Sequence, residues 1–249
     1  MDFRKQIQES TPLFGTLLTL PSVEIAEILS YSDFDWLFID LEHSAMGTIE
    51  AQSLLQGIAD RKPTLVRVES KDEVGIRKAL DIGASGIIVP QVNSRSEAEK
   101  IVSLCKYPPI GTRSVGIGRA SRYGNAISNY LSTANDKTAL VIQIEHRDAV
   151  DNIEEILAVD GIDAIFIGPY DLSGSYLKLG DVDCIEVVDA RKKVLSAARK
   201  RHIPTGIFAG NAGAANKFQQ EGYSLIAIAT DGLLLAKAAK TELEALKNK

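Results

Sequence analysis

The sequence predicts a single (β/α)₈ barrel (TIM barrel) domain, an α/β fold spanning residues 1–249. Eight short apolar runs alternate with charged, amphipathic stretches along the chain, as expected when helices cover parallel strands. A length of 249 residues suits one such barrel. The alternative is a doubly wound open sheet, which would normally carry a glycine-rich phosphate turn after its first strand. Leu18–Ser22 does not have that composition.

The predicted strands are mostly apolar on both faces, and helical patterns fill the segments between them. The strands are Leu13–Thr19, Phe34–Asp40, Thr64–Val68, Gly86–Val92, Ala139–Glu145, Ile162–Gly168, Thr205–Ala209 and Leu225–Ala229. The helices are Ile49–Arg61, Glu73–Ile82, Ser96–Lys106, Val150–Val159, Glu186–Arg201 and Ala212–Glu221. Gly83, Gly161 and Gly222 are placed to end helices before the next strand.

Composition argues against several classes of protein. The chain has 28 Lys and Arg against 33 Asp and Glu, so it lacks the excess of basic residues typical of a general nucleic-acid binder. We recognise neither a signal peptide nor an apolar run long enough to cross a membrane. Cys105 and Cys184 lie far apart without zinc-site spacing. We therefore expect free thiols and a cytoplasmic protein.

Polar residues gather at the carboxyl ends of four predicted strands. His43 follows the second strand, Arg67 lies near the end of the third, Glu145 ends the fifth and Asp171 follows the sixth. In a barrel these ends converge on one mouth, where active sites of this fold lie. The sequence therefore predicts a site that combines a histidine, an arginine and two carboxylates.

Two of these residues, Glu145 and Asp171, come from neighbouring predicted strands. Two close carboxylates repel each other unless a cation lies between them, and oxygen ligands suit Mg²⁺ or Mn²⁺. The alternative is that each carboxylate is simply solvated, or that Asp171 caps the turn after Pro169.

His43 and Arg67 also admit two interpretations. A histidine at a barrel mouth can act as a base near neutral pH, or it can be an ordinary surface-loop residue. Arg67 lies in an apolar strand and needs an anionic partner. That partner is either the substrate, which we favour, or a structural carboxylate. His146 and His202 are expected to be structural.

Lysine and arginine positions bear on the type of chemistry. None of the predicted strands ends in lysine, which argues against a Schiff-base aldolase. Arg113, Arg119 and Arg122 lie on a long glycine-rich connection. They are equally consistent with capture of an acidic substrate and with structural or subunit contacts.

Several motifs, taken together, resemble the HpcH/HpaI aldolases, which are metal-dependent pyruvate aldolases. The resemblance covers nearly the whole chain. The motifs are the stretches Phe34–Ser44, Leu65–Arg67, Leu80–Ala84 with Ile88–Pro90, Gly111–Gly116, Arg119–Arg122, Gln143–Glu145 and Phe166–Ser173.

The resemblance implies a Mg²⁺, Mn²⁺ or Co²⁺ ion bound by Glu145 and Asp171. It implies that His43 is the proton acceptor and that Arg67 stabilises an enolate. Asp81 matches the carboxylate that raises the basicity of the histidine, whereas sequence proximity alone would assign that role to Asp40.

Substrate binding and assembly also follow from the resemblance. Gln143, Tyr170 and Asp171 match substrate-binding positions, and the family is usually hexameric, a trimer of dimers, with C-terminal helices exchanged between subunits. Two positions depart from the pattern. Val68 replaces a frequent proline, and Tyr170 replaces a small residue, which affects substrate choice more than mechanism.

The predicted function is cleavage of a 2-keto-4-hydroxy acid to pyruvate and an aldehyde. The same site could instead serve an oxaloacetate decarboxylase or a malyl- or citramalyl-type lyase. A non-catalytic barrel that senses a keto acid is a further alternative, but such a protein would be expected to have lost His43 or a metal carboxylate.

Overall fold

A computed structural model of the chain describes residues 2–9 and 11–247. Eight parallel strands form a closed barrel in sequence order, which confirms the predicted fold. The strands are β1 (Leu13–Leu18), β2 (Trp36–Asp40), β3 (Thr64–Arg67), β4 (Gly86–Val89), β5 (Ala139–Ile144), β6 (Ala164–Ile167), β7 (Thr205–Ala209) and β8 (Leu225–Thr230).

Helices surround the barrel. They are α1 (Phe3–Gln8), α2 (Val23–Ser30), α3 (Thr48–Ile58), α4 (Glu73–Asp81), α5 (Arg95–Cys105), α6 (Ile127–Lys137), α7 (Arg147–Asp151), α8 (Ile153–Ile156), α9 (Pro169–Ser175), α10 (Ile185–Lys200), α11 (Ala212–Glu221) and α12 (Asp231–Lys247). Capping side chains mark the amino-terminal ends of several helices, for example Ser22 at α2 and Asp72 at α4. The single helix predicted over Val150–Val159 is instead two short helices that meet at Asn152.

The barrel interior is packed towards the amino ends of its strands. Phe3 and Ile7 of α1 are buried in the interior cluster together with Trp36. The Phe3 and Trp36 rings lie 6.4 Å apart between centroids. Gly15 is required beside Trp36, because a Cβ there would lie 2.5 Å from the indole. With this end filled, the open end of the barrel is the carboxyl end of the strands.

The long connection before β5 contains more structure than the sequence predicts. It includes α6 and a short 3₁₀ helix, Arg119–Ser121. Arg113 is buried against the Tyr107 ring, and its Nη2 lies 2.8 Å from Oδ1 of Asp81. Arg119 donates hydrogen bonds to the carbonyls of Ile82 and Leu55. Within one chain, these two arginines therefore hold the loop against α3 and α4.

The last helix, α12, is anchored only at its start. Asp231 is buried and accepts hydrogen bonds from the N–H groups of Thr19 and Leu20 at the end of β1. The rest of α12 is largely exposed, including the leucines Leu233, Leu235, Leu243 and Leu246. Within residues 2–9 and 11–247, no helix combines the length and apolar character needed to cross a membrane.

Candidate active site

A cavity of about 310 Å³ opens at the carboxyl ends of the strands. Its walls combine aromatic side chains with a few polar groups, as is typical of small-molecule sites. The polar groups include His43, Arg67, Gln143 and Asp171. Together with Tyr170, five of the seven predicted site residues line this cavity, whereas Glu145 and Asp81 are not part of its lining. Tyr170 lies at its rim, half exposed, with its ring 6.4 Å from that of Phe208.

Arg67 is held in the cavity wall by Asp40. The strand register places these two residues opposite each other on β3 and β2. The guanidinium donates from Nε to Oδ1 at 2.8 Å and from Nη2 to Oδ2 at 2.7 Å, and it lies 5.4 Å above the Phe38 ring. A structural carboxylate, the alternative that the sequence left open, therefore already makes a two-point pair with Arg67, and the favoured contact with the substrate stays a prediction.

The remaining nitrogen of Arg67 faces other polar groups of the site. Its Nη1 lies 3.4 Å from Oε1 of Gln143 and 3.3 Å from Oε2 of Glu42. Burial tends to raise the pKa of Asp40, but the hydrogen bonds and charge of Arg67 outweigh burial and hold that pKa below its usual value. Both members of the buried pair are therefore ionised at neutral pH.

Asp40 also shapes the loop that carries His43. Its Oδ1 accepts hydrogen bonds from the N–H groups of Glu42, at 3.0 Å, and His43, at 3.3 Å. Ser44 donates its hydroxyl to the Asp40 carbonyl oxygen. These bonds fix the backbone while the imidazole stays 57% exposed at the mouth, with Nε2 3.6 Å from Oε2 of Glu42. A histidine placed this way can exchange protons with a bound ligand.

Glu145 follows β5 and is 1% exposed. Its Oε1 accepts a hydrogen bond from the backbone N–H of Gln91 at 2.8 Å, and its Oε2 accepts one from the Gln143 side-chain amide. Burial raises the pKa of Glu145 to about 7, and the charges of Glu42 and Asp171 add to that rise while the two hydrogen bonds oppose it. The carboxylate is therefore fixed in position, and no lysine or arginine among residues 2–9 and 11–247 forms an ion pair with it.

A divalent cation suits this acidic group. Burial raises the pKa of Glu42, the charges of Arg67 and His43 oppose that rise, and the charges of Asp40 and Asp171 add to it. Oε2 of Glu42 is buried without a hydrogen bond. Of the described residues that line the cavity, Arg67 is the only lysine or arginine, and Asp40 already matches its charge. A bound cation would relieve the repulsion between these carboxylates.

The ligand set from the protein would be small. Among residues 2–9 and 11–247, no group of three or more His, Cys, Asp or Glu side chains is arranged to hold a metal. Glu145 and Asp171 would thus supply two carboxylate ligands, and water or substrate oxygens would complete the shell, as is common for Mg²⁺. Asp171 lies in the first turn of α9 and is exposed at the cavity.

Within one chain, Asp81 does not contact His43. It is the last residue of α4, which leads back to the amino end of β4, so it lies at the opposite end of the barrel from the cavity. There it pairs with Arg113. Asp40, the other candidate for orienting His43, bonds the backbone N–H of that residue and not its ring.

Two residues that contact the site were not identified from the sequence. Glu42 lies within 4 Å of both Arg67 and His43, and its place two residues after Asp40 is a signal that could have identified it. Gly168 packs against the buried acid, because a Cβ there would lie 2.7 Å from Oε2 of Glu145 and 3.1 Å from Nε2 of Gln143. No sequence signal distinguishes Gly168 from other strand-end glycines.

Comparisons with known proteins identify the family to which this chain is similar. The family described as HpcH/HpaI aldolase/citrate lyase matches residues 14–238. A hydroxypyruvate/pyruvate aldolase of Sagittula stellata is 36% identical over 95% of this chain and 94% of its own length. A 4-hydroxy-2-oxo-heptane-1,7-dioate aldolase of Shigella flexneri is 37% identical over 96% of this chain and 90% of its own.

A solved structure shows the same relationship. The crystal structure of an HpcH/HpaI aldolase/citrate lyase family protein from Burkholderia cenocepacia superposes with a TM-score of 0.95, at 33% identity, over 98% of both chains. The chain therefore belongs to the HpcH/HpaI aldolase/citrate lyase family, which confirms the family predicted from the motifs.

Proposed function

We propose that this family member is a metal-dependent carbon–carbon lyase, an aldolase that cleaves a 2-keto-4-hydroxy acid to pyruvate and an aldehyde. The observation that carries the proposal is the convergence of Asp171, Arg67 and His43 on one cavity, with the buried Glu145 bonded to Gln143 of the cavity lining. The named relatives support the same reaction type, because two of them are described as aldolases of hydroxypyruvate/pyruvate and of a 4-hydroxy-2-oxo diacid.

Glu145 and Asp171 would hold the metal, for which Mg²⁺, Mn²⁺ and Co²⁺ are the candidate ions. When bound, such an ion supplies Lewis-acid stabilisation of negative charge that develops on a keto acid. Gln143 supports this arrangement by bonding Glu145 and by lining the cavity. The backbone at Tyr170 and Asp171, in the first turn of α9, would contact the substrate carboxylate.

His43 would accept the proton of the substrate 4-hydroxyl as the C3–C4 bond breaks. Its exposed ring and fixed backbone suit that role. Arg67 would stabilise the pyruvate enolate through Nη1, while Nε and Nη2 remain on Asp40. Charge stabilisers of this kind contribute roughly 10²–10³ in rate.

Asp81 could act on His43 only across a subunit boundary. We propose that the protein is a homo-oligomer, such as a hexamer, and that its C-terminal helices are exchanged between subunits. The exposed leucines of α12 support an oligomer, because a helix with several exposed leucines is typical of an interface. Light scattering after size exclusion measures the assembly directly. A cytoplasmic location is supported by the two free cysteines, Cys105 and Cys184.

The decisive assay is pyruvate release from a panel of 2-keto-4-hydroxy acids, coupled to lactate dehydrogenase, with and without a chelator. Metal-dependent release together with an aldehyde supports the proposal. Carbon dioxide from oxaloacetate without aldehyde from any panel member would favour a decarboxylase. Inactivation of the chelated protein by borohydride plus pyruvate would show Schiff-base chemistry instead.

A further inference from the structure

A second cavity, of about 450 Å³, lies on the outside of the barrel beside α10. It is formed by one face of α10 and by the segment that joins the end of α11 to β8. Four of its lining side chains are basic, namely Arg191, Lys192, Arg199 and Lys200, whereas Glu221 is the one carboxylate. The cavity is therefore strongly cationic in a protein whose formal net charge is −5.

Arg191 is the central feature of this cavity. It is only 3% exposed, and its Nε is buried without a hydrogen bond. Across the described residues, 2–9 and 11–247, the guanidinium makes no ion pair or hydrogen bond, and its nearest aromatic partner is the Phe218 ring at 5.1 Å. A buried charge without a counterion is costly. Arg191 thus indicates a binding partner that a single chain does not supply.

The surrounding groups do not neutralise this charge. Arg199 donates to the backbone carbonyl of Glu221, so that contact brings no carboxylate. Lys192 and Lys200 have only exposed acidic neighbours, each 3.7–3.8 Å away, and such surface pairs stabilise little. Tyr223 also lines the cavity. Burial raises the pKa of its hydroxyl, and the charge of Arg191 opposes that rise.

We propose that this cavity binds a phosphoryl group, as free phosphate or on a small phosphorylated metabolite. The fork of N–H donors of arginine matches the oxygens of a phosphate, and lysines add compact positive charges. The volume exceeds that of a lone phosphate, and the apolar Val188 and Leu195 side chains also line the cavity. The site is separate from the barrel mouth and does not depend on the proposed reaction.

The test is isothermal titration of the full-length, Mg²⁺-loaded protein with inorganic phosphate and with glycerol 3-phosphate. The wild-type protein should bind, and Arg191→Met should weaken binding roughly 10- to 100-fold, as expected for loss of charge-assisted hydrogen bonds. Tighter binding of the ester identifies a phosphorylated metabolite, and equal affinities identify phosphate itself. Phosphate binding by wild type that is no tighter than that of Arg191→Met would overturn the proposal.

Neighbouring lysines provide a matched control. Lys192→Ala and Lys193→Ala remove the same charge from adjacent positions of α10, but only Lys192 lines the cavity, and Lys193 lies 3.3 Å from Asp151. We expect weaker phosphate binding in Lys192→Ala alone. Equal affinities in the two variants would contradict the site, and this comparison holds even where Arg191→Met does not fold.

Stability separates a binding role from a structural role for Arg191. In phosphate-free buffer, Arg191→Met should unfold at the same temperature as wild type or higher, because the substitution removes an unpaired buried charge. Phosphate should raise the unfolding temperature of wild type but not of the variant. A large loss of stability without phosphate, and an equal response to phosphate, would show that Arg191 is structural.

Discussion

Arg67 and Asp40 form a two-point ion pair between facing positions of neighbouring strands. The pair directs one guanidinium nitrogen, Nη1, towards Gln143 and Glu42. Asp40 also bonds the backbone that carries His43. The buried Asp40 carboxylate therefore positions the Arg67 guanidinium, which would stabilise the enolate. It also positions the loop that carries His43, the proposed base.

Asp40→Asn should lower both stability and activity. Removing one charge of a buried pair leaves its partner uncompensated, so the free energy of unfolding should fall by about 3 kcal/mol. Urea denaturation and pyruvate-release kinetics measure the two effects. Glu99→Gln, in an exposed pair with Arg95, should change neither. An Asp40→Asn protein with wild-type stability and kcat/KM would contradict the positioning role.

The contribution of the Asp40–Arg67 pair to the free energy of unfolding should depend on pH only under acidic conditions. Because the folded-state pKa of Asp40 is lowered, its stabilising effect is complete above the ordinary aspartate pKa of about 3.9 and is lost as the pH falls through the lower folded-state value. The difference in unfolding free energy between wild type and Asp40→Asn should therefore be constant from neutral pH down to about pH 5 and shrink below about pH 4. A difference that shrinks between pH 8 and 6 would show that another group controls it.

His43→Gln should lower kcat by roughly 10²–10⁴, the usual contribution of a general base. KM and Mn²⁺ affinity should change little, because the ring lies at the cavity rim. Coupled pyruvate assays and metal titration separate these quantities. The control is His202→Asn, since His202 has a positive φ that asparagine tolerates. Equal kcat values for His43→Gln and wild type would show that His43 takes no part in the mechanism.

Gly168→Ala should weaken metal binding about 10- to 100-fold, the usual effect of disturbing the groups around a metal ligand. The added Cβ would lie 2.7 Å from Oε2 of Glu145, so the carboxylate has to move. Gly210→Ala is the matched control, because its Cβ would meet no atom within 4 Å. Mn²⁺ titration followed by fluorescence or calorimetry measures the affinities. Equal metal affinities in these two variants would show that the Glu145 position is not critical.

The barrel could be predicted from the sequence because its strands are mostly apolar runs. Ala139–Ile144, for example, has one polar residue, Gln143, and is buried throughout. The convergence of His43, Arg67 and Asp171 followed from their positions at strand ends. Glu145, predicted to converge with them, is instead buried and bonds Gln143, a position that the family resemblance supplied. The two-point partner of Arg67 was not predicted, because β2–β3 register decides which carboxylate faces the arginine. The division of Val150–Val159 into two helices and the structural contacts of Arg113 and Arg119 depend on tertiary packing, which periodicity does not encode.

The proposed metal role of Glu145 is the central claim, and one measurement tests it most directly. Pyruvate release from 2-keto-4-hydroxy acids should be compared for wild type and Glu145→Gln, with Mn²⁺ or Mg²⁺ bound and after chelation. We expect activity in the metal-loaded wild type, loss of activity on chelation with recovery when metal is restored, and neither metal binding nor activity in Glu145→Gln. Undiminished pyruvate release by the chelated wild type, or by Glu145→Gln, would contradict the account.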